Sequence, residues 1–127
     1  GITGVVMSSD TADIYNPKVI RSTMGAVFRV PFVYVEDLKA ALLQLKDHGV
    51  HLYAAHLKGQ NSYDQEDYTE STGFLIGNEA QGLSDEIASL ADTYVKIPMA
   101  GSVESLNAAI ASSVLMFEVA RQRRNQK

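Results

Sequence analysis

Short apolar segments alternate along the chain with segments whose apolar residues recur at helical spacing. Strands are predicted at residues 3–8, 30–35, 51–57, 73–77 and 94–99. Helices are predicted at residues 16–27, 36–48, from Ser84 onward, and from about Ser102 to Arg124. Strands that alternate with helices form βαβ units. The pattern therefore predicts an α/β fold, a mostly parallel sheet with helices on both faces.

The alternation stops between residues 58 and 72, which are polar, follow no regular period and form the longest predicted loop. Four carboxylates lie in this segment: Asp64, Glu66, Asp67 and Glu70. Such a cluster is more often a solvated acidic loop than an acidic interaction site. The chain shows no internal repeat and no linker, so one domain over residues 1–127 is expected. It opens directly into a strand, as a domain truncated at its N-terminus would.

The length, the absence of cysteine and the net charge of the chain exclude several classes of protein. A chain of 127 residues without cysteine has the length of one domain and has no disulfide framework, zinc finger or thiol nucleophile, which suits a cytoplasmic protein. No apolar run reaches the roughly 20 residues of a membrane span. The net charge of −4 argues against nucleic-acid binding by overall positive charge. However, residues 61–100 carry −7 and residues 101–127 carry +2, so RNA is not excluded.

The first candidate site follows the predicted strand at residues 73–77, where ligands of parallel sheets bind. Its sequence is Gly77-Asn78-Glu79-Ala80-Gln81-Gly82-Leu83-Ser84. The spacing is similar to that of a phosphate-binding P-loop, but Leu83 stands where that motif requires a lysine. A tight strand–helix turn would explain Gly77 and Gly82 without any function. Glu79, a carboxylate between them at a strand end, favours a functional site.

The second candidate site follows the predicted strand at residues 94–99. Its residues 97–107 have the sequence I-P-M-A-G-S-V-E-S-L-N and run into the first turn of the last helix. Free backbone N–H groups at a helix start favour a polar or anionic ligand. Ser105 and Asn107 could be capping residues, but Ser102 already supplies a capping candidate.

The last helix carries an apolar stripe formed by Leu106, Ile110, Val114 and Phe117, with further apolar residues beside it. Such a broad apolar surface must be buried on more than one side, under other elements or against a second subunit. Basic residues end the helix, which suits its C-terminus but also makes the most basic patch of the chain: Arg121, Arg123, Arg124 and Lys127. The three histidines show no metal-ligand spacing, so no metal is expected.

Three segments together resemble the SpoU, or TrmH-type, RNA ribose 2′-O-methyltransferases of the SPOUT superfamily. They are residues 16–31 (N-P-K-V-I-R-S-T-M-G-A-V-F-R-V-P), residues 74–83 (F-L-I-G-N-E-A-Q-G-L) and residues 97–123, which begin with I-P-M-A-G-S-V-E-S-L-N. The resemblance spans nearly the whole chain. The pairing of G-N-E-x-x-G-L with I-P-M-x-G-x-x-x-S-L-N about twenty residues later is highly specific.

The resemblance implies a C-terminal deep trefoil knot, S-adenosylmethionine bound in that knot, and a homodimer that methylates a ribose 2′-hydroxyl in rRNA or tRNA in the cytoplasm. The positions that match cofactor-binding residues of the family are Ala55, His56, Leu57, Gly77, Asn78, Gly82, Ile97, Met99 and Leu106. Those that match residues around the reacting ribose are Glu79, Ser105, Asn107 and Arg121.

The chain departs from the family pattern at its beginning. The family carries a catalytic arginine in a first motif on the earliest helix, and Arg21 falls in the segment that follows that motif. The first motif and an N-terminal RNA-binding domain are therefore expected to lie upstream of this chain, which could be inactive alone. The alternative interpretation is a non-catalytic module that binds S-adenosylmethionine or dimerises.

Overall fold

The structure, a computed structural model, describes residues 5–8, 32–56, 59–77, 83–99 and 108–126; for residues 5–8, 32, 108 and 109 it describes the backbone alone. Contacts divide the chain into two compact units, residues 1–41 and residues 42–127. The predicted helix at residues 16–27 lies outside the described residues. A single domain over residues 1–127 stays a prediction.

The first unit contains two parallel strands, β1 (Val5–Ser8) and β2 (Phe32–Val35), paired with Val5 opposite Phe32 and Ser8 opposite Val35. Both fall within predicted strands.

Helix α1 (Leu38–Asp47) is preceded by Asp37, whose Oδ1 accepts the Ala40 N–H at 3.0 Å. This bond satisfies one of the free N–H groups of the first turn. Leu42 is the residue of α1 that is fully buried. The helix ends before Gly49, which has a φ of +86° and donates its N–H to the Lys46 carbonyl at 3.0 Å. The predicted glycine stop is confirmed.

The second unit contains a four-stranded sheet of order β4-β6-β3-β5. Its strands are β3 (His51–Ala55), β4 (Asn61–Ser62), β5 (Thr72–Leu75) and β6 (Thr93–Lys96). Every strand pairing among the described residues is parallel, which confirms the predicted mostly parallel α/β architecture. A helical turn, α2 (Asp85–Ala88), follows Ser84, whose Oγ accepts the Ile87 N–H as the sequence predicts.

The prediction of an irregular loop at residues 58–72 is wrong in part. Asn61 and Ser62 pair with β6, and a 3₁₀ turn, Tyr63–Gln65, follows them. Tyr68 is completely buried, and its hydroxyl donates a hydrogen bond to the Tyr63 carbonyl. The acidic side chains are exposed or half-buried, but an aromatic side chain between them anchors the segment to the core. The polar residues around Tyr68 gave no indication in the sequence that its side chain is buried.

The core of the second unit joins the sheet to the last helix, α3 (Ala108–Arg124). Tyr53, Tyr68, Val95 and Leu115 form its buried cluster. The rings of Tyr53 and Tyr68 meet edge to face with centroids 4.9 Å apart, a favourable arrangement of aromatic pairs.

Within the described part of the chain, no helix has the length and apolar character that crossing a membrane requires.

Candidate functional site

The carboxyl ends of three neighbouring strands meet at one edge of the sheet. In register, Ala54 of β3 lies opposite Leu75 of β5, and Ala55 lies opposite Val95 of β6. The chain leaves these strands at His56, Ile76 and Ile97. Ligands of parallel α/β sheets bind beyond this edge.

Five predicted cofactor-binding residues lie at the end of one of these three strands or within three residues after it: Ala55, His56, Gly77, Ile97 and Met99. The N–H of His56 donates to the Val95 carbonyl at 2.9 Å, which continues the pairing one residue beyond β3. The structure thus gathers at one edge residues that are more than forty positions apart in the sequence.

The edge is supported from below by the core. Ala55, Ile76 and Ile97 are partly buried and pack against the core cluster. The His56 ring stacks on Tyr94 with centroids 5.1 Å apart and an angle of 26° between the planes. The edge therefore combines an apolar floor and an aromatic pair with the backbone polar groups of three strand ends. Such a lining suits a ligand that has an apolar or aromatic part and a few hydrogen-bonding groups.

The other predicted site residues lie outside the described part of the chain. They are Leu57, Asn78, Glu79, Gly82, Ser105, Leu106 and Asn107. Their assignments remain predictions. Among the described residues, no group of three or more His, Cys, Asp or Glu side chains could hold a metal ion.

Arg121, the remaining predicted site residue, lies near the end of α3 and is engaged by Glu118. Its Nε and Nη2 donate to the two carboxylate oxygens of Glu118 at 2.5 and 2.9 Å. These bonds lower the pKa of Glu118 below its ordinary value and raise that of Arg121. Arg121 therefore stays charged at physiological pH. A bidentate pair also fixes the plane of the guanidinium.

Arg121 lines an open groove of about 630 Å³ along α3. The groove is lined by Tyr63, Ile110, Ser113, Val114, Phe117, Glu118, Arg121 and Arg124. None of the five residues gathered at the sheet edge is among them. Phe117 is 74% exposed and Ile110 is 53% exposed, whereas Leu115 is fully buried. The predicted stripe through Ile110 and Phe117 is thus the solvent-facing side of α3 in this chain.

Glu118 and Gln122 are two residues near this groove and Arg121 that were not predicted from the sequence. Gln122 connects α3 to the acidic segment: its Nε2 donates to the Glu66 carbonyl at 2.8 Å, and its Oε1 accepts the Tyr68 N–H at 2.7 Å. The spacing of Glu118 and Arg121, three residues apart on a helix, is a signal for an ion pair that the sequence contained. The partners of Gln122 are more than fifty positions away, and no local pattern indicates them.

Comparison with known proteins supports one family. The sequence model of the SpoU rRNA Methylase family matches residues 1–117. The chain is 37% identical over 123 residues to the 23S rRNA (guanosine-2′-O-)-methyltransferase RlmB of Xanthomonas axonopodis pv. citri, which covers 97% of this chain and 49% of that protein. The chain thus spans about half the length of the curated relatives it matches.

Solved structures agree with this match. The SpoU methyltransferase AviRb from Streptomyces viridochromogenes, in complex with the cofactor AdoMet, has a TM-score of 0.86 and 36% identity over 97% of this chain and 51% of that chain. The AdoMet-bound rRNA methyltransferase from Sinorhizobium meliloti has a TM-score of 0.89 and 33% identity over 100% of this chain and 48% of that chain. Sequence and fold agree, and the chain belongs to the SpoU rRNA methylase family.

Proposed function

We propose that this chain is the catalytic part of an enzyme that methylates a ribose 2′-hydroxyl in rRNA or tRNA with S-adenosylmethionine as methyl donor. The observation that carries the proposal is the convergence of Ala55, Gly77 and Ile97 at the carboxyl edge of three adjacent parallel strands. The names of the relatives, which are RNA methyltransferases, favour an enzyme over a non-catalytic binding module. The absence of cysteine fits a cytoplasmic setting for this reaction.

The lining of the edge fits S-adenosylmethionine. The partly buried Ala55, Ile76 and Ile97 offer apolar surface for an adenine ring. The backbone groups that follow the strands offer hydrogen bonds for its polar edge and for the ribose. In this proposal the described residues Ala55, His56, Gly77, Ile97 and Met99 hold the cofactor together with Leu57, Asn78, Gly82 and Leu106.

When bound, S-adenosylmethionine supplies a methyl group on a positively charged sulfur that leaves as a neutral thioether. The residues of the chain must align the 2′-oxygen with that methyl group and stabilise the oxygen as its proton is lost. In our proposal Glu79, Ser105 and Asn107 orient the ribose hydroxyl through hydrogen bonds. Arg121, whose pKa is raised by Glu118, acts as a fixed positive charge near the substrate and not as a base.

We further infer that the C-terminal part of the chain forms the trefoil knot of the family. Support comes from the sheet order, in which β6 lies between β3 and β4, two strands that precede it in the sequence. A knot requires a later part of the chain to pass between parts that precede it, and a late strand in the middle of the sheet is consistent with such a path. Knots are otherwise nearly absent from proteins. Single-molecule extension from both ends would then stop short of the length of an unknotted chain. Extension to the full length contradicts the knot.

The homodimer is proposed from the outer side of α3. Phe117 is 74% exposed and Ile110 is 53% exposed on a helix whose opposite side is buried in the core. Contiguous exposed apolar surface of this kind marks interaction sites more often than plain surface. A second copy of the chain is the occupant that the family resemblance implies.

Methyl transfer by the full-length protein tests the function. Incubation with S-adenosylmethionine that carries a radioactive methyl group should label rRNA or tRNA, and Asn107→Ala should lower the rate roughly a hundredfold to a thousandfold, as the loss of one positioned hydrogen-bonding group does. Asn61→Ala, a change of the same residue type at an exposed position, should leave the rate unchanged.

Isothermal titration with S-adenosylmethionine, combined with the labelling of RNA, distinguishes an active methyltransferase from a non-catalytic binding module. An enzyme binds S-adenosylmethionine and labels RNA. Binding without transfer to any RNA would favour the non-catalytic module. A folded protein that neither binds the cofactor nor labels RNA contradicts both interpretations.

A further inference from the structure

Glu118 is a charged residue at a buried position. It is 7% exposed and lies on α3 directly after Phe117, the most exposed apolar residue of that helix among those described. A buried carboxylate is costly unless it is paired and hydrogen-bonded. Both of its oxygens have partners: Oε1 accepts from Arg121 Nε, and Oε2 accepts from Arg121 Nη2 and from Gln122 Nε2, the latter at 3.2 Å.

The anchoring of Glu118 continues into the rest of the fold. Gln122, which holds the second oxygen, is itself bonded to the carbonyl of Glu66 and to the N–H of Tyr68. Tyr68 is fully buried in the core. The carboxylate is therefore connected through Gln122 to the buried core of the second unit. An ordinary surface ion pair has two mobile partners, whereas this one has a fixed partner and an exposed partner.

Arg121 is the exposed partner. Its side chain is 53% exposed, compared with 6% for that of Glu118. A guanidinium has five N–H donors, and Glu118 takes two of them. The other donors find no hydrogen-bond partner among the described residues, and the side chain lines the groove along α3. A planar guanidinium held at one edge presents its other edge in a defined direction, which suits a phosphate or ribose oxygen.

We propose that Glu118 is a positioning residue that holds the Arg121 guanidinium in the orientation required to contact the RNA. This inference rests on the proposed function, because it assigns Glu118 a role in the same methyl transfer. Glu118 does not touch the substrate and acts through Arg121 alone. Gln122 keeps the carboxylate in place and links it to the segment at residues 66–68.

A double-mutant cycle in the full-length protein tests the proposal. Glu118→Gln keeps the shape of the side chain and removes its charge, so one of the two bonds to Arg121 is lost. We expect kcat/KM for RNA to fall roughly tenfold to a hundredfold, the scale of a misplaced group, with the Kd for S-adenosylmethionine unchanged. In the Arg121→Ala background, Glu118→Gln should cause no further loss. Glu70→Gln, which removes the same charge from an exposed side chain, should have no effect.

Arg121→Lys is the second variant. It keeps the positive charge at the exposed position but removes the planar guanidinium, which can bond to both oxygens of a carboxylate. Arg121→Lys should lose activity to about the same extent as we expect for Glu118→Gln. This result tests the orientation of the guanidinium even if the Glu118→Gln variant does not fold. Full activity of Arg121→Lys, or of a folded Glu118→Gln variant, would overturn the positioning role. So would a loss by Glu118→Gln that persists in the Arg121→Ala background, since Glu118 would then act on the fold in general. If the wild type labels no RNA, the proposed function itself fails, and the role of Glu118 fails with it.

Discussion

Gly59 lies where the chain passes close to the backbone of β6. Its N–H donates a hydrogen bond to the His56 carbonyl at 3.0 Å. A Cβ at this position would lie 2.7 Å from the Val95 carbonyl carbon and 2.8 Å from the Lys96 nitrogen. Both atoms belong to the sheet backbone and cannot move aside. Gly49 is a glycine for a different reason: it has open space around it but a φ of +86°.

Gly59→Ala should therefore lower the free energy of unfolding by about 1–3 kcal/mol, the usual cost of overpacking. Gly49→Asn is the control, because asparagine tolerates the left-handed backbone, and its effect should be smaller. Thermal unfolding of both variants, followed by circular dichroism, measures the difference. A Gly59→Ala variant as stable as the wild type would show that the close approach to β6 does not exist in solution.

At the scale of the elements, polar side chains connect the last turn of α1, which belongs to the second unit, to the segment that precedes β6. Lys46, in the last turn of α1, donates to the Leu90 carbonyl at 3.0 Å and pairs with Asp92 at 3.4 Å. Asp92 accepts the Leu52 N–H at 2.8 Å and donates its own N–H to the Leu52 carbonyl at 2.8 Å. The Leu52 N–H first, and Lys46 second, lower the pKa of Asp92.

A lowered pKa makes a contribution to stability that depends on pH. Because the pKa of Asp92 is lower in the folded state than its unfolded value of about 3.9, this contribution is present above that value and is lost as the pH falls through the folded pKa. Asp92→Asn should be less stable than the wild type by about 1 kcal/mol or less at pH 7, and the difference should disappear in acid. Asp47→Asn, at an exposed position at the end of α1, should have about the stability of the wild type at pH 7. Denaturant titrations over a range of pH values measure this, and a constant difference would contradict it.

At the scale of the whole molecule, the proposed dimer interface is the outer side of α3. Phe117→Glu places a charge in the centre of the proposed interface, where an unpaired buried charge is costly. The wild type should have the mass of a dimer at tens of micromolar, and Phe117→Glu should have the mass of a monomer. Leu43→Glu, a charge introduced at a 43% exposed leucine of α1, should remain dimeric. Light scattering distinguishes these states, and a monomeric wild type would contradict the proposed dimer.

Local patterns predicted most elements of the described residues. The start of β3 at His51, the Ser84 cap and the glycine stop after α1 depend on residues within a few positions of each other, and all three are confirmed. The strand ends were less accurate: β3 ends at Ala55 instead of residue 57, and β6 ends at Lys96 instead of residue 99. Apolar residues continue in the sequence past both strand ends, and Ile97 packs against the core without being part of β6, so hydrophobicity alone does not mark where the pairing stops.

The motifs also predicted which residues form the candidate site. The register pairs Ala54 with Leu75, two residues before Gly77, and Ala55 with Val95, two residues before Ile97. The use of the site residues by a cofactor stays a prediction, as do the roles of Glu79, Ser105 and Asn107. The spacing of three residues indicates the Glu118–Arg121 pair, but the sequence does not indicate the burial of Glu118 or the distant partners of Gln122, because a glutamate or glutamine on a helix is ordinarily exposed. Only their contacts distinguish them.

The sequence by itself determined the α/β alternation, the helix boundaries set by caps and glycine, the family and the motifs, because each depends on side chains that are neighbours along the chain. The tertiary structure decided the sheet order β4-β6-β3-β5, the burial of Tyr68 within a polar segment, and the side of α3 that stays exposed. These features depend on contacts between residues far apart in the chain. Which of several apolar surfaces is buried is decided by the packing of the whole core, and no local pattern contains that information.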